Sequence, residues 1–460
     1  MPLIFYDVET TGLNRSFDQI LHFAAVKTDD NLVPMDRFEV KSKLLPNVIP
    51  APKALSITGL SLSELHSEDR LSHYEMVREI VQKLTSWGPA IYVGFNSIKF
   101  DEEFLRQAFF QTLHPPYFTS LNGNLRGDAL HVARATAVVA PGVLQVPTAP
   151  TGNPTFALQA LAAANNIQVR KQHDAAADVE TTIALCALIR SRASNIWSAF
   201  LRFVSKQATN AFIANEPAFA LLEVRGGIPG LTMAAELGRS ISDQNLVHCL
   251  DLRANAHAMA EMTDEDLDAL AGTYDGVFRS FRTNASPMLW AAWDLDDASV
   301  TGIGCDQAEE SAAFIADHPQ LKARLLALAR SKEKFYPQSI HPEERLHGEW
   351  ISDLDARLSV DFHNLPWEKR GSIVDRMTDI RLKTFAARLA YFERPHLLTE
   401  QHRTEISREF KDRICVPASG PWRTASQALE EIATLQLEAE PALKYSFDNL
   451  RAYLQTLLTA

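Results

Sequence analysis

Near the start of the chain, Leu3-Ile4-Phe5-Tyr6-Asp7-Val8-Glu9 runs into Thr10-Thr11-Gly12, and this stretch limits the possible folds more than any other. Its apolar and aromatic content predicts a strand. Side chains alternate faces along a strand, so Asp7 and Glu9 point the same way. Two like charges beside an apolar strand repel and lose hydration unless a cation sits between them, and hard carboxylate oxygens suit Mg²⁺ or Mn²⁺. Taken alone, the pair reads far more readily as two solvated acids before a turn. Further acids in matching positions decide between the two.

Ile20-Leu21-His22-Phe23-Ala24-Ala25-Val26 and Phe38-Glu39-Val40 read as further strands, separated by polar turns around Asp29-Asp30-Asn31. His22 has no second histidine at ligand spacing, so its expected role is structural. Tyr74, Val77, Ile80, Val81 and Leu84 recur at helical spacing and predict one amphipathic helix over residues 61–87. Ala90-Ile91-Tyr92-Val93-Gly94-Phe95-Asn96 is a buried strand. It leads through Ser97-Ile98-Lys99-Phe100 to Asp101 and a helix with Phe104, Leu105, Ala108 and Phe109 on its apolar face. In the first helical turn Asp101 would complement the helix dipole, but acids at successive strand ends also mark where open α/β sheets place ligands.

A second helix is expected over residues 128–134, then a Pro-rich loop over 139–154. Thr155 is the expected N-cap of a helix carrying Phe156, Leu158 and Leu161. His173-Asp174-Ala175-Ala176-Ala177-Asp178 then enters a long apolar helix through Ile183, Leu185, Cys186 and Ile189. Positions five apart on an α-helix differ by about 140° in direction, so His173 and Asp178 can share a site only if His173 lies in the preceding loop. Asp174 and Asp178 would share one face, and spacing does not choose between them.

In this order, Asp7-Val8-Glu9, Asp101 and His173 with Asp178 resemble the DEDD exonucleases in their histidine-bearing branch. Ser56-Ile57-Thr58-Gly59, Gly94-Phe95-Asn96-Ser97-Ile98-Lys99-Phe100-Asp101-Glu102-Glu103 and Pro154-Thr155-Phe156 narrow the resemblance to bacterial exonuclease I, as a divergent member. The resemblance implies an α/β fold: a ribonuclease H-like mixed sheet with flanking helices over residues 1–195, a small SH3-like β barrel over 196–345 and a C-terminal helical domain over 346–460. It implies that Asp7, Glu9, Asp101 and Asp178 hold two Mg²⁺ ions, with Mn²⁺ able to substitute, and that His173 is the general base. It thereby selects Asp178 over Asp174. The implied reaction removes nucleoside 5′-monophosphates from the 3′ end of single-stranded DNA. Thr10, Leu13, Arg106, Tyr117 and Arg134 fall at substrate-contacting positions, while Leu121 and Ala157 stand where an aromatic residue and an arginine are expected. A single-strand-binding protein is the expected protein partner, and a monomer the expected state.

For the middle of the chain, residues alone give only a mixed, β-containing reading from Ala218-Phe219-Ala220-Leu221-Leu222, Leu246-Val247-His248-Cys249-Leu250 and Val277-Phe278-Arg279. From Trp350 the pattern turns helical, with Ile373, Met377, Ile380 and Phe385 beside Arg376, Arg381, Lys383 and Arg388. At 460 residues the chain exceeds one ordinary core. A net charge of −12 speaks against a nucleic-acid partner at first sight, yet residues 369–413 hold 11 basic and 7 acidic side chains, a local +4 that could line a basic groove. The four cysteines are scattered, without the spacing of a zinc site or disulfide framework. Neither a leader nor a membrane-length apolar run is visible, so the cytoplasm is the expected location. Two alternatives remain at this level: an exonuclease for RNA or polymerase proofreading, and an inactive nucleic-acid-binding scaffold that keeps the nuclease fold.

Overall fold

The structure is a computed structural model that describes every residue except 170–173, 273–275, 296–297, 335–336, 418–419, 438–440 and 460. The acidic strand β1 (Leu3–Thr10) lies in the middle of a five-stranded sheet with β2 (Ile20–Thr28), β3 (Pro34–Lys41), β4 (Ile91–Gly94) and β5 (Leu125–Asp128), in the order β3-β2-β1-β4-β5. β2 and β3 run antiparallel to their neighbours, whereas β4 and β5 run parallel, so the sheet is mixed. The connection from β3 to β4 carries α1 (Pro52–Thr58), α2 (Leu62–Leu65) and α3 (His73–Ser86), and that from β4 to β5 carries α4 (Asp101–Gln111). After β5 come α5 (Ala129–Val139), α6 (Leu158–Ala164), α7 (Ala175–Arg192), α8 (Ser194–Phe203) and α9 (Lys206–Asn215).

Alternation along β1 sets the two faces. Ile4, Tyr6 and Val8 pack with Val77 and Ile80 of α3 and Phe104 and Leu105 of α4, while Leu3 and Phe5 join Val179, Ile183 and Cys186 of α7. Asp7 and Glu9 continue the second face toward the start of α7. The single helix expected over residues 61–87 is two helices, because two capping boxes start two: Ser61 with Glu64 and Ser72 with Glu75. The helix expected at 128 begins at Ala129, with Asp128 as its N-cap and the last residue of β5. Thr155 is not an N-cap. α6 starts at Leu158 with Ala157 at the cap position, and the Thr155 hydroxyl accepts a weak hydrogen bond from the Ala157 N–H at 3.4 Å.

β5 meets α8 at Gly127, where a Cβ would come within 2.5 Å of the Phe200 ring. Gly127→Ala should therefore destabilise the protein by about 1–3 kcal/mol, the usual cost of overpacking, read as a lowered melting temperature. An unchanged melting temperature would mean that the Phe200 ring moves aside freely.

A second five-stranded sheet is antiparallel throughout, with β6 (Phe219–Arg225), β7 (Ile228–Arg239), β8 (Leu246–Asp251), β9 (Phe278–Arg282) and β10 (Leu289–Ala291) in the order β10-β6-β7-β8-β9. The expected SH3-like barrel does not form. Among the described residues the outer strands β9 and β10 do not pair, so the sheet stays open. Its strands are apolar on both faces. Phe219, Leu221 and Ala234 meet Phe203 and Phe212 of α8 and α9. Ala220, Met233 and Ala235 join Met259, Ala308, Ala312 and Leu325 in a core on the other side. That side is built from α10 (Ala256–Glu261), α11 (Asp264–Ala271), α12 (Ala298–Thr301), α13 (Cys305–Asp317) and α14 (Pro319–Ser331). Among the described residues helices already cover both faces, which leaves the sheet no need to close over itself.

The C-terminal region is helical as expected: α15 (Asp353–Asn364), α16 (Trp367–Arg376), α17 (Ile380–Glu393), α18 (Glu400–Cys415), α19 (Ala425–Leu435) and α20 (Pro441–Thr459). It holds the first sheet's unit through two apolar patches. Phe362, Ile373, Leu382 and Phe385 pack on Tyr74, Phe110 and Leu113. Ala428, Ile432, Phe447 and Leu450 pack on Leu21, Ile49 and Leu55. Not all the basic residues of this helical stretch are surface groups free to line a groove. Arg381 is buried against Asp379, and Arg388 bridges Glu343 and Glu409 at 2.7 and 2.6 Å.

Candidate active site

Three carboxylates meet in one place, and a fourth, Asp101, is tied to the same strand beside them. Asp7 and Glu9 extend from β1, Asp178 from the first turn of α7, and Asp101 from the first turn of α4. Carboxylate oxygens of Asp7, Glu9 and Asp178 lie within 4.8 Å of one another. Asp101 is 4% exposed and accepts a hydrogen bond from the Val8 N–H at 3.1 Å, which fixes it to the strand between the two β1 acids.

The parallel pairing of β4 with β1, Phe5 opposite Val93, brings the start of α4 here. The turn after β4 is set by Asp128, which accepts from the Asn96 N–H at 2.8 Å and the Ile98 N–H at 3.2 Å while Asn96 takes a left-handed conformation. Asp174, which spacing alone could not separate from Asp178, is the N-cap of α7 and accepts from the Ala177 N–H. His173 lies outside the described residues.

Electrostatics fits this arrangement to a cation. Burial pushes the Asp7 carboxyl well above its usual range, and repulsion from Asp101, Glu9, Asp178 and Asp174 adds to it. Asp101 is pushed up to about 7, mainly by burial, with Asp128 and Glu102 contributing against the hydrogen bonds from its own N–H and from Val8. A half-buried set of acids that repel one another is relieved by a hard divalent ion, and oxygen-only ligands suit that ion class. His22, opposite Glu9 on β2, has its pKa lowered to about 4 by burial and then by Lys41, so it is a neutral neighbour.

One participant carried no sequence signal. Gln159, in α6, donates its side-chain N–H to Asp178 Oδ1, and its own Oε1 is buried without a hydrogen-bonding partner among the described residues. It orients an acid that must present its other oxygen to the cluster. Gln159→Ala should cost about 10–100-fold in metal affinity or rate, the usual effect of removing a partner that orients a ligand. Titrating rate against Mg²⁺ concentration checks this, and an unchanged curve would contradict it.

The remaining expected contacts divide by environment. The Thr10 hydroxyl donates to the Gly12 carbonyl at 2.7 Å, and Leu13 stands 81% exposed beside it. The loop they form is held by Asp18, which accepts from the Thr11 hydroxyl and the Asn14 N–H, both at 2.8 Å. Arg106 is buried and bonded to Glu102 and Glu103 at 3.1 and 2.9 Å, with Tyr117 stacked 5.0 Å away. The Tyr117 hydroxyl meets His347 at 2.9 Å, and the exposed Trp350 ring lies 5.7 Å from it. Arg134 lies 5.7 Å over Phe156, next to Ala157, and its Nε is buried without a hydrogen-bonding partner among the described residues. Leu121 is exposed.

The family model described as Exonuclease (RNase_T) matches residues 4–186, which span all four acids. Exodeoxyribonuclease I of Escherichia coli K12 is 26% identical over 430 residues, covering 88% of this chain and 89% of that protein. The chain is similar to exonuclease I along most of its length. Likeness to solved exonuclease I structures extends over the whole fold. A moderately thermophilic exonuclease I from Methylocaldum szegediense superposes with a TM-score of 0.87 at 23% identity, covering 99% of both chains. Exonuclease I of E. coli in complex with a dA16 oligonucleotide gives 0.86 at 21% identity, again covering 99% of both. The open second sheet is therefore part of a chain that follows exonuclease I from end to end.

Proposed function

We propose that this chain shortens single-stranded DNA from its 3′ end and releases nucleoside 5′-monophosphates. The observation that carries this reading is the convergence of Asp7, Glu9 and Asp178 within 4.8 Å, with Asp101 fixed beside them. Similarity to exodeoxyribonuclease I over most of the chain supports it, as does the likeness to the E. coli exonuclease I solved with a bound oligonucleotide.

Asp7, Glu9, Asp101 and Asp178 would hold two Mg²⁺ ions, for which Mn²⁺ can substitute. Bound there, the ions neutralise charge gathering at the scissile phosphate and lower the pKa of water. The chain's own groups do the rest. Val8 and Gln159 hold Asp101 and Asp178 in place. His173 is the general base that takes the proton of the attacking water, and an imidazole with an ordinary pKa of ~6.5 suits that task near neutrality. The main chain at Thr10 faces the terminal 3′-hydroxyl, and the exposed Leu13 packs against the terminal base. Tyr117 offers a ring for stacking and Arg134 a guanidinium for phosphate. Arg106, committed to Glu102 and Glu103, serves by holding the Tyr117 ring.

The same proposal divides the chain into a nuclease unit over 1–195, a sheet-bearing unit over 196–345 and a helical unit over 346–460. It places a monomer in the cytoplasm, beside a single-strand-binding protein. No helix among the described residues is long and apolar enough to cross a membrane. Matched single-stranded DNA, duplex DNA and RNA oligonucleotides, with products separated by chromatography, test the substrate. Single-stranded DNA giving 5′-monophosphates is the expected result. Preferential loss of RNA would overturn the DNA assignment, because carboxylate-held metals do not themselves distinguish the sugars.

A further inference from the structure

The loop after β1 opens into a cleft of about 980 Å³. Glu9, Thr10 and Leu13 form its near wall and α1 its floor, while Trp422, Arg423, Gln427 and Glu431 of the C-terminal region form its far wall. On the exonuclease reading, which puts Thr10 and Leu13 against the terminal nucleotide, a strand whose last phosphodiester lies at the carboxylates would extend its terminal nucleoside into this space. Three acids line the cleft, Glu9, Asp18 and Glu431, against the two bases Lys53 and Arg423. Grooves that track a nucleic-acid backbone carry an excess of positive charge, and this cleft carries none. It suits the uncharged sugar and base of one terminal residue better than a chain that continues with another phosphate.

The far wall is fastened shut. Asn14 in the near loop donates to the Pro421 carbonyl at 2.8 Å, and the Lys53 N–H donates to Glu431 Oε1 at 3.1 Å. Glu431 also pairs with Arg423. Phe17, His341 and Trp422 meet edge to face with ring centroids 5.0–5.9 Å apart, and the Arg413 guanidinium lies 4.5 Å over Trp422. These contacts join the near loop, the segment before α15 and the segment before α19 into one closure. Ile432 and Ala428 behind it are buried against Leu55 of α1.

We infer that residues 420–431 are an end stop: a wall supplied by the C-terminal region that admits one terminal nucleotide past the carboxylates and excludes a strand that continues. This rests on the exonuclease reading, and it assigns strictness for a free 3′ end to contacts outside the nuclease sheet.

The test compares the full-length protein with Asn14→Ala and Glu431→Ala on three substrates in Mg²⁺. These are a 5′-labelled single strand with a free 3′-hydroxyl, the same strand with a bulky fluorophore on its 3′ oxygen, and a single-stranded circle of the same sequence. The quantity read is the ratio of cleavage on the blocked strand or circle to cleavage on the free strand, with thermal melting to establish that each variant is folded. Opening the closure should raise the ratio about tenfold or more, the scale of a lost contact of ordinary strength. An unchanged ratio in both variants overturns the end stop. So does a folded pair of variants that cut neither strand, because the contacts would then belong to the chemistry. An intact protein that leaves even the free strand uncut would instead sink the exonuclease reading itself.

Discussion

Asp7→Asn is expected to lower the rate of strand shortening by at least about 10³-fold, the top of the range that removal of a single electrostatic stabiliser commonly costs. In metal-free buffer at neutral pH the same substitution should raise the melting temperature. Both effects have one origin. The Asp7 carboxyl lies half-buried beside Asp101, Glu9, Asp178 and Asp174, and desolvation and repulsion hold its pKa well above the ordinary range. A charged Asp7 is a cost to the fold that a bound cation offsets. The neutral amide removes the cost and the ligand together. Activity and melting measured side by side check this. A variant that melts lower without metal would show that Asp7 contributes to packing rather than to a cation site.

Added Mg²⁺ should raise the melting temperature more at pH 8 than at pH 5.5. An unfolded aspartate titrates near ~3.9, and in the fold Asp101 titrates near about 7. Between these values the folded chain holds the extra proton. The stability this group contributes is therefore full below about pH 4 and is lost as the pH climbs to about 7. At pH 5.5 a cation must displace that proton, and at pH 8 it meets a carboxylate already charged. Each kcal/mol of added stabilisation corresponds to roughly 2–4 °C for domains of 150–250 residues. A shift equal at both pH values, or larger in acid, would contradict the proton competition.

What the sequence made legible was local and periodic. Alternation placed Asp7 and Glu9 on one face, and the strand that carries them lies at the sheet's centre as an acidic strand must if other elements are to bring it partners. Helical spacing found α4 and α7. It could not choose between Asp174 and Asp178, because the choice depends on where α7 begins: Asp174 caps the helix, and Asp178 lies one turn inside it. The apolar run over 61–87 hid a break, since periodicity does not register a second capping serine unless the boxes at Ser61 and Ser72 are read as two starts.

The misses were long-range. The short strand β5 has no alternation to show, and it exists because β4 pairs with it from Ile91 to Gly94. The second sheet reads as short apolar runs whether it closes or stays open. What decides is that Ala220 and Met233 on one face and Phe219 and Ala234 on the other both find helical cover. Gln159 gives no sign of its role, because its partner Asp178 is 19 positions away across residues with no pattern of their own. Arg381 and Arg388 looked like part of a basic face, and pairing with Asp379, Glu343 and Glu409 takes their charge inside.

The most direct test of the carboxylate site follows a 5′-labelled single-stranded DNA oligonucleotide in Mg²⁺, with the intact protein beside Asp178→Ala. A ladder descending from the 3′ end, given by the intact protein and abolished by the substitution, is the predicted result. A strand that is bound but left uncut in both Mg²⁺ and Mn²⁺, or one shortened equally well by Asp178→Ala, would contradict it.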